Sequence, residues 1–183
     1  MKKSIVHLVN VLKEKLIEFP NLVNKMEKKD LDFINHYYLW LHNSEEILSS
    51  YSISNVSELA GIRSKVIATR FNEYKKLPTK KLQLKVAADS LFDAQNILLN
   101  VITPYELKIE ESKELIRQLL LIVSQANIIK YNKKIPLQNF ISEIWQFILS
   151  NEQLKPGAVK LRTILQLTDI QLLIAEEINI EDF

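Results

Sequence analysis

Apolar residues recur at helical intervals along almost the whole of this chain, and strict alternation is rare. Side chains at i, i+3, i+4 and i+7 share one face of a helix, whereas a half-buried strand needs a period of two. Ile5, Leu8, Val9, Leu12 and Leu16 form a first stripe, which predicts a helix closing near Phe19-Pro20, with a short segment around Leu22, Val23 and Met26 after it. Ile34, Tyr37, Tyr38, Leu41 and Leu48 mark the inner face of a second helix. Asp30 is its expected N-cap, and Ser49-Ser50-Tyr51-Ser52 should end it, because hydroxyls compete there for backbone hydrogen bonds.

Asn55-Val56-Ser57-Glu58 has the spacing of a capping box and opens a helical region reaching about Lys76. Leu77-Pro78-Thr79 reads as a turn, with Thr79 capping a long helix that carries Leu84, Ala87, Ala88, Leu91, Leu98 and Val101. Thr103-Pro104-Tyr105-Glu106 places a Thr cap, a first-turn Pro and a reciprocal Glu in register, so one helix should stop and another start there. Leu115, Leu119, Ile122, Val123, Ala126 and Ile129 line up before a turn at Asn132-Lys133-Lys134. After Pro136, Leu137, Phe140, Ile141, Ile144, Phe147 and Ile148 define a core stripe. Pro156-Gly157 predicts another break, and Thr168-Asp169 a last start. The sequence has no fixed-period repeat and no Gly, Ser or Pro linker. The expectation is an all-α fold, a single-domain irregular bundle of about six to eight helices over residues 1–183.

Composition narrows the chemistry. Leu, Ile, Val and Phe make up 68 of the 183 residues, enough to exclude disorder for most of the chain. No cysteine and only two glycines exclude thiolate zinc sites, disulfide scaffolds, cysteine nucleophiles and glycine-rich phosphate cradles. The longest aliphatic run, Leu119 to Val123, is far short of the roughly 20 residues of a membrane span. The basic start Met1-Lys2-Lys3 is followed by His7, Asn10 and Lys13 rather than by an unbroken apolar stretch, so a cytoplasmic protein is expected.

The three histidines are His7, His36 and His42. Ser4, Phe33 and Leu39 stand three residues before them, so the Glu-x-x-His pairs of helical di-iron sites are missing. Every histidine precedes the first arginine, Arg63, which excludes a helical ribonuclease with His shortly after Arg. Asp32/His36 and His42/Glu46 read as solvated i,i+4 pairs, and Glu106, Glu110, Glu111 and Glu114 as acids near a helix start. Tyr37, Tyr38, Trp40, Tyr51 and Tyr74 read first as core, then as an interface. No catalytic residue, metal or cofactor is expected.

The net charge is only +2, but its distribution is uneven. Arg63, Lys65, Arg70, Lys75, Lys76, Lys80, Lys81 and Lys85 face a single acid, Glu73, within residues 63–85. Residues 163–183 carry Asp169, Glu176, Glu177, Glu181 and Asp182 and no base. Such segments suit recognition by a partner or by a second copy.

Within the basic region, residues 56–71 resemble the helix-turn-helix of bacterial DNA-binding proteins. Ala60-Gly61-Ile62 match its turn, while Val56, Leu59 and Ile67 are apolar where its two helices pack. Ser57 and Arg70 depart from the pattern, standing where apolar residues are usual. The resemblance implies a second helix offering Arg63, Ser64, Lys65, Thr69 and Arg70 to phosphates or base edges, with Lys75, Lys76, Lys80 and Lys81 beside it. Two readings follow. The leading one is a non-enzymatic protein acting through protein–protein interaction or self-association, in a regulatory, adaptor or immunity-type role. The alternative is nucleic-acid binding through residues 56–71 and 63–85.

Overall fold

The computed structural model describes residues 2–30, 32–69 and 79–183. Among them are seven α-helices: α1 (Ile5–Glu27), α2 (Phe33–Ser50), α3 (Val56–Ala68), α4 (Thr79–Ala126), α5 (Leu137–Ser150), α6 (Lys155–Ile164) and α7 (Leu167–Glu177). A 3-10 turn, Ile180–Asp182, follows, and no described residue is in a strand. The all-α class read from periodicity is the class observed.

Two prolines expected to end helices do not. α1 passes through Pro20, so the segment around Leu22 and Met26 is its continuation. An interior proline costs about 3 kcal/mol through its missing N–H and its ring. Phe19 and Leu22, both buried, flank it and hold the helical path. α4 likewise runs through Pro104. Asn100, Thr103 and Pro104 are exposed, which leaves the carbonyl freed by proline on the solvent side. The Thr103 hydroxyl donates to the Leu99 carbonyl at 2.8 Å instead of capping a new helix.

Caps also shift in detail. α2 starts at Phe33 with Asp32 in the N-cap position, and Asp30, two residues before it, accepts the Asp32 backbone N–H at 2.9 Å. Asn55 precedes α3 but makes no side-chain cap bond; its amide donates to the Glu58 carboxylate at 2.6 Å. Pro156 occupies the first turn of α6, and the break expected there lies a few residues earlier, between α5 and α6. The Leu77-Pro78 turn lies outside the described residues.

Contacts gather the chain into two compact units, Met1–Val6 with Tyr105–Phe183, and His7–Pro104. The divisions fall inside α1 and at the proline of α4. The first unit has a core of Ile116, Leu119, Val123, Phe140, Ile144, Trp145, Ile148, Leu161, Ile170 and Leu173, with Val6 among them. Phe147, expected in this core, is only partly buried, and Trp145 takes the deep position. Gly157 lets α6 approach α4, since a Cβ there would meet Leu119 Cδ2 at 3.0 Å. Asp169 of α7 is buried and accepts from Ser4 Oγ at 2.5 Å and from the Ile5 backbone N–H at 3.0 Å, so a distant carboxylate caps α1.

The second unit buries Leu8, Leu12, Phe33, Tyr37, Leu41, Leu48, Leu59, Leu91 and Leu98. Phe19, Phe33, Tyr37 and Trp40 are core, whereas Tyr38 and Tyr51 are only partly buried: Phe33 stacks on Tyr37 at 5.9 Å, and Phe19 lies 6.0 Å from Trp40. Trp40 Nε1 donates to the Lys15 carbonyl at 2.9 Å and Tyr37 Oη to the Ser90 carbonyl at 3.0 Å, so each polar tip is satisfied. Burial pushes the Tyr37 phenol up to about 12.

Candidate functional site

The helix-turn-helix expectation is corrected by α3, which is one uninterrupted helix through Ala60, Gly61 and Ile62. Neither glycine of the chain has positive φ, so no turn of the required kind forms at Gly61. A continuous helix puts Leu59, Ile62 and Val66 on one buried face against α2, and Arg63 borders that face rather than opening a recognition helix. Arg63 Nε donates to Glu45 Oε1 at 2.7 Å and Oε2 at 3.1 Å, and Nη1 to Tyr38 Oη at 3.1 Å. Glu45 is itself buried. These bonds, the one to Glu45 first, raise the Arg63 pKa and commit its guanidinium to the fold. Thr69 is buried and donates to the Val66 carbonyl.

Ser64, Lys65, Lys80 and Lys81 are exposed, as is Lys85. Arg70, Lys75 and Lys76, together with Tyr74, lie outside the described residues. The structure therefore exposes four of the nine residues named for nucleic-acid contact and turns two inward.

The histidine pairs are modest. His42 Nε2 lies 3.5 Å from Glu46 on the exposed side of α2, while His36 Nδ1 meets the Asp32 backbone carbonyl rather than its carboxylate. No group of three or more His, Asp or Glu side chains converges on a metal-sized site among the described residues.

A different surface emerges in the first unit. Leu107, Glu110, Glu111, Glu114, Leu115 and Gln118 of α4, with Lys160 of α6, line an open groove of about 520 Å³. Leu107 is 61 % exposed at one end; Leu121 (58 %) and Ile122 (46 %) continue the surface beyond the other. Leu107, Glu111, Glu114, Gln118 and Leu121 fall at offsets 0, 4, 7, 11 and 14, which confines them to an arc of about 80° on a helix of 3.6 residues per turn.

The carboxylates here compete for few cations. Arg117 donates to Glu177 at 2.6 Å, Glu114 at 3.1 Å and Glu110 at 3.2 Å, and Lys113 contacts Glu176 at 2.8 Å. The Glu177 carboxyl is held below its usual range, chiefly by Arg117; that of Glu114 is lowered by Gln118 first and Arg117 second. The acidic residues Glu176 and Glu177 are thus partly neutralised by Lys113 and Arg117 of α4. Glu111 has no ion-pair partner among the described residues.

Glu110 and Glu114, expected near a helix start, lie well inside α4, and the apolar side chains beside them had a signal of their own. The signal was the run Leu119-Leu120-Leu121-Ile122-Val123, since five consecutive residues span more than one turn and cannot all face inward. Leu119, Leu120 and Val123 are buried, and Leu121 and Ile122 are left outside. No family model, curated protein or solved structure matches the chain.

Proposed function

We propose that this is a non-enzymatic protein that acts by binding another protein, and that the outer face of α4 from Leu107 to Ile122 is its contact surface. The observation that carries this reading is the exposure of Leu107, Leu121 and Ile122 on the α4 surface that includes the groove. Single exposed aliphatics are ordinary, whereas several along one helix face with a polar border are the pattern of an interaction site. A cytoplasmic setting belongs to the same reading and rests on the cysteine-free sequence. The test is purification of the tagged full chain from its own cells, as wild type and as Leu107→Asp/Leu121→Asp. A stoichiometric partner held by the wild type and lost from the variant, at unchanged thermal stability, is the expected result. Equal recovery with both chains would refute the assignment.

Exposed Lys65, Lys80, Lys81 and Lys85 support a second reading, sequence-independent contact with nucleic-acid phosphates. Retention on DNA or RNA that weakens with salt and with Lys65→Ala/Lys80→Ala/Lys81→Ala would favour it over the first.

A further inference from the structure

We infer that the occupant of the α4 groove is a cationic amphipathic helix of another protein, apolar at its two ends and bearing Lys or Arg between them. This rests on the interaction reading above and specifies the chemistry of the partner. Along the exposed arc the order is Leu107, then Glu111, Glu114 and Gln118, then Leu121. That pattern dictates what can cover it. A uniformly apolar helix would match the two leucines but bury Glu111, which has no ion-pair partner among the described residues, and desolvate Glu114 beside the shared Arg117; an unpaired carboxylate out of water is strongly unfavourable.

The protein's own cations are insufficient for this purpose. Arg117 is already divided among Glu110, Glu114 and Glu177, and Lys113 is engaged by Glu176 and Glu177. Among the described residues, Lys160 on the α6 wall is the one cation that lines the groove. An incoming Lys or Arg opposite Glu111 and Glu114 supplies the missing charge and leaves the flanking leucines to bury apolar surface. An acidic or purely polar helix would add repulsion or leave the carboxylates unpaired. Residues spaced 4, 7, 11 and 14 apart are also what a second helix meets when it lies nearly parallel to the first.

The test uses three labelled synthetic helices with the same terminal leucines and with Lys, Glu or Gln at the central positions, titrated against the full chain. The Lys helix should bind at least tenfold more tightly than either of the others and lose affinity as salt shortens the screening length from about 10 Å towards 3 Å. Glu111→Lys should weaken it at least tenfold, and so should Leu107→Asp, with the melting temperature unchanged in both. Failure of the Lys helix to bind, equal binding of the Glu or Gln helix, or indifference to the charge reversal would overturn the inference. So would self-association of the chain, seen by light scattering, that the charge reversal dissolves, because the occupant would then be a second copy. The co-purification test on Leu107→Asp/Leu121→Asp stands apart from these peptides, so a partner of other chemistry would sink this inference and leave the interaction reading intact.

Discussion

Arg63 illustrates how one side chain's role depends on which helix face receives it. In sequence it heads a basic run, yet in the fold it sits 2.7 Å from the buried Glu45 and reaches Tyr38. Arg63→Ala would strand that carboxylate, so it should lower unfolding free energy by about 1–3 kcal/mol in denaturant titrations while leaving any nucleic-acid retention unaltered. Tyr37 gives a residue-scale pH dependence. Its phenol titrates at about 12 in the fold, above its ordinary value, because burial opposes the phenolate. A raised folded pKa means the contribution is complete below pH ~10 and is lost as pH climbs towards 12. Tyr37→Phe should therefore flatten the alkaline fall in melting temperature, at a neutral-pH cost of about 1 kcal/mol for the hydrogen bond to the Ser90 carbonyl.

At the scale of elements, apolar spacing was a sound guide and punctuation a weaker one. Most members of the three stripes are buried, among them Leu8, Val9, Leu12, Ile34, Tyr37, Leu41, Leu48, Phe140, Ile141, Ile144 and Ile148, while Ile5, Leu16, Tyr38 and Phe147 are only partly buried and Leu137 is exposed. Pro20 and Pro104, in contrast, sit inside α1 and α4, since burial on either side of a proline outweighs its local cost and leaves no mark in a cap motif. Gly61 is the matching case in α3. A turn-like triplet disappears into a helix whose packing against α2 decides the matter. A Cβ at Gly61 would touch nothing within 4 Å. Gly61→Ala should accordingly raise stability by about 0.5–1 kcal/mol, read as a higher denaturant midpoint. Loss of stability on that substitution would mean that the chain needs glycine's conformational freedom there, as a helix-turn-helix does.

For the molecule as a whole, the sequence disclosed its class but only fragments of its candidate site. The all-α class followed from periodicity, and the acids at Glu110, Glu111 and Glu114 were visible as a cluster without their apolar neighbours. The capping of α1 by Asp169 was not, because it joins residues more than 160 positions apart. Nor was the exposure of Leu107 and Leu121, since the inward face of a long amphipathic helix is set by neighbours that no single stripe reveals. The account turns on this outer surface of α4. A photoreactive amino acid in place of Leu107 in the full chain, irradiated in its own cells, tests it most directly. One discrete adduct with another protein, abolished when Leu121→Asp is added to the same chain, is the predicted result. An adduct from the same photoreactive group in place of Lys85, with none from position 107, would contradict it.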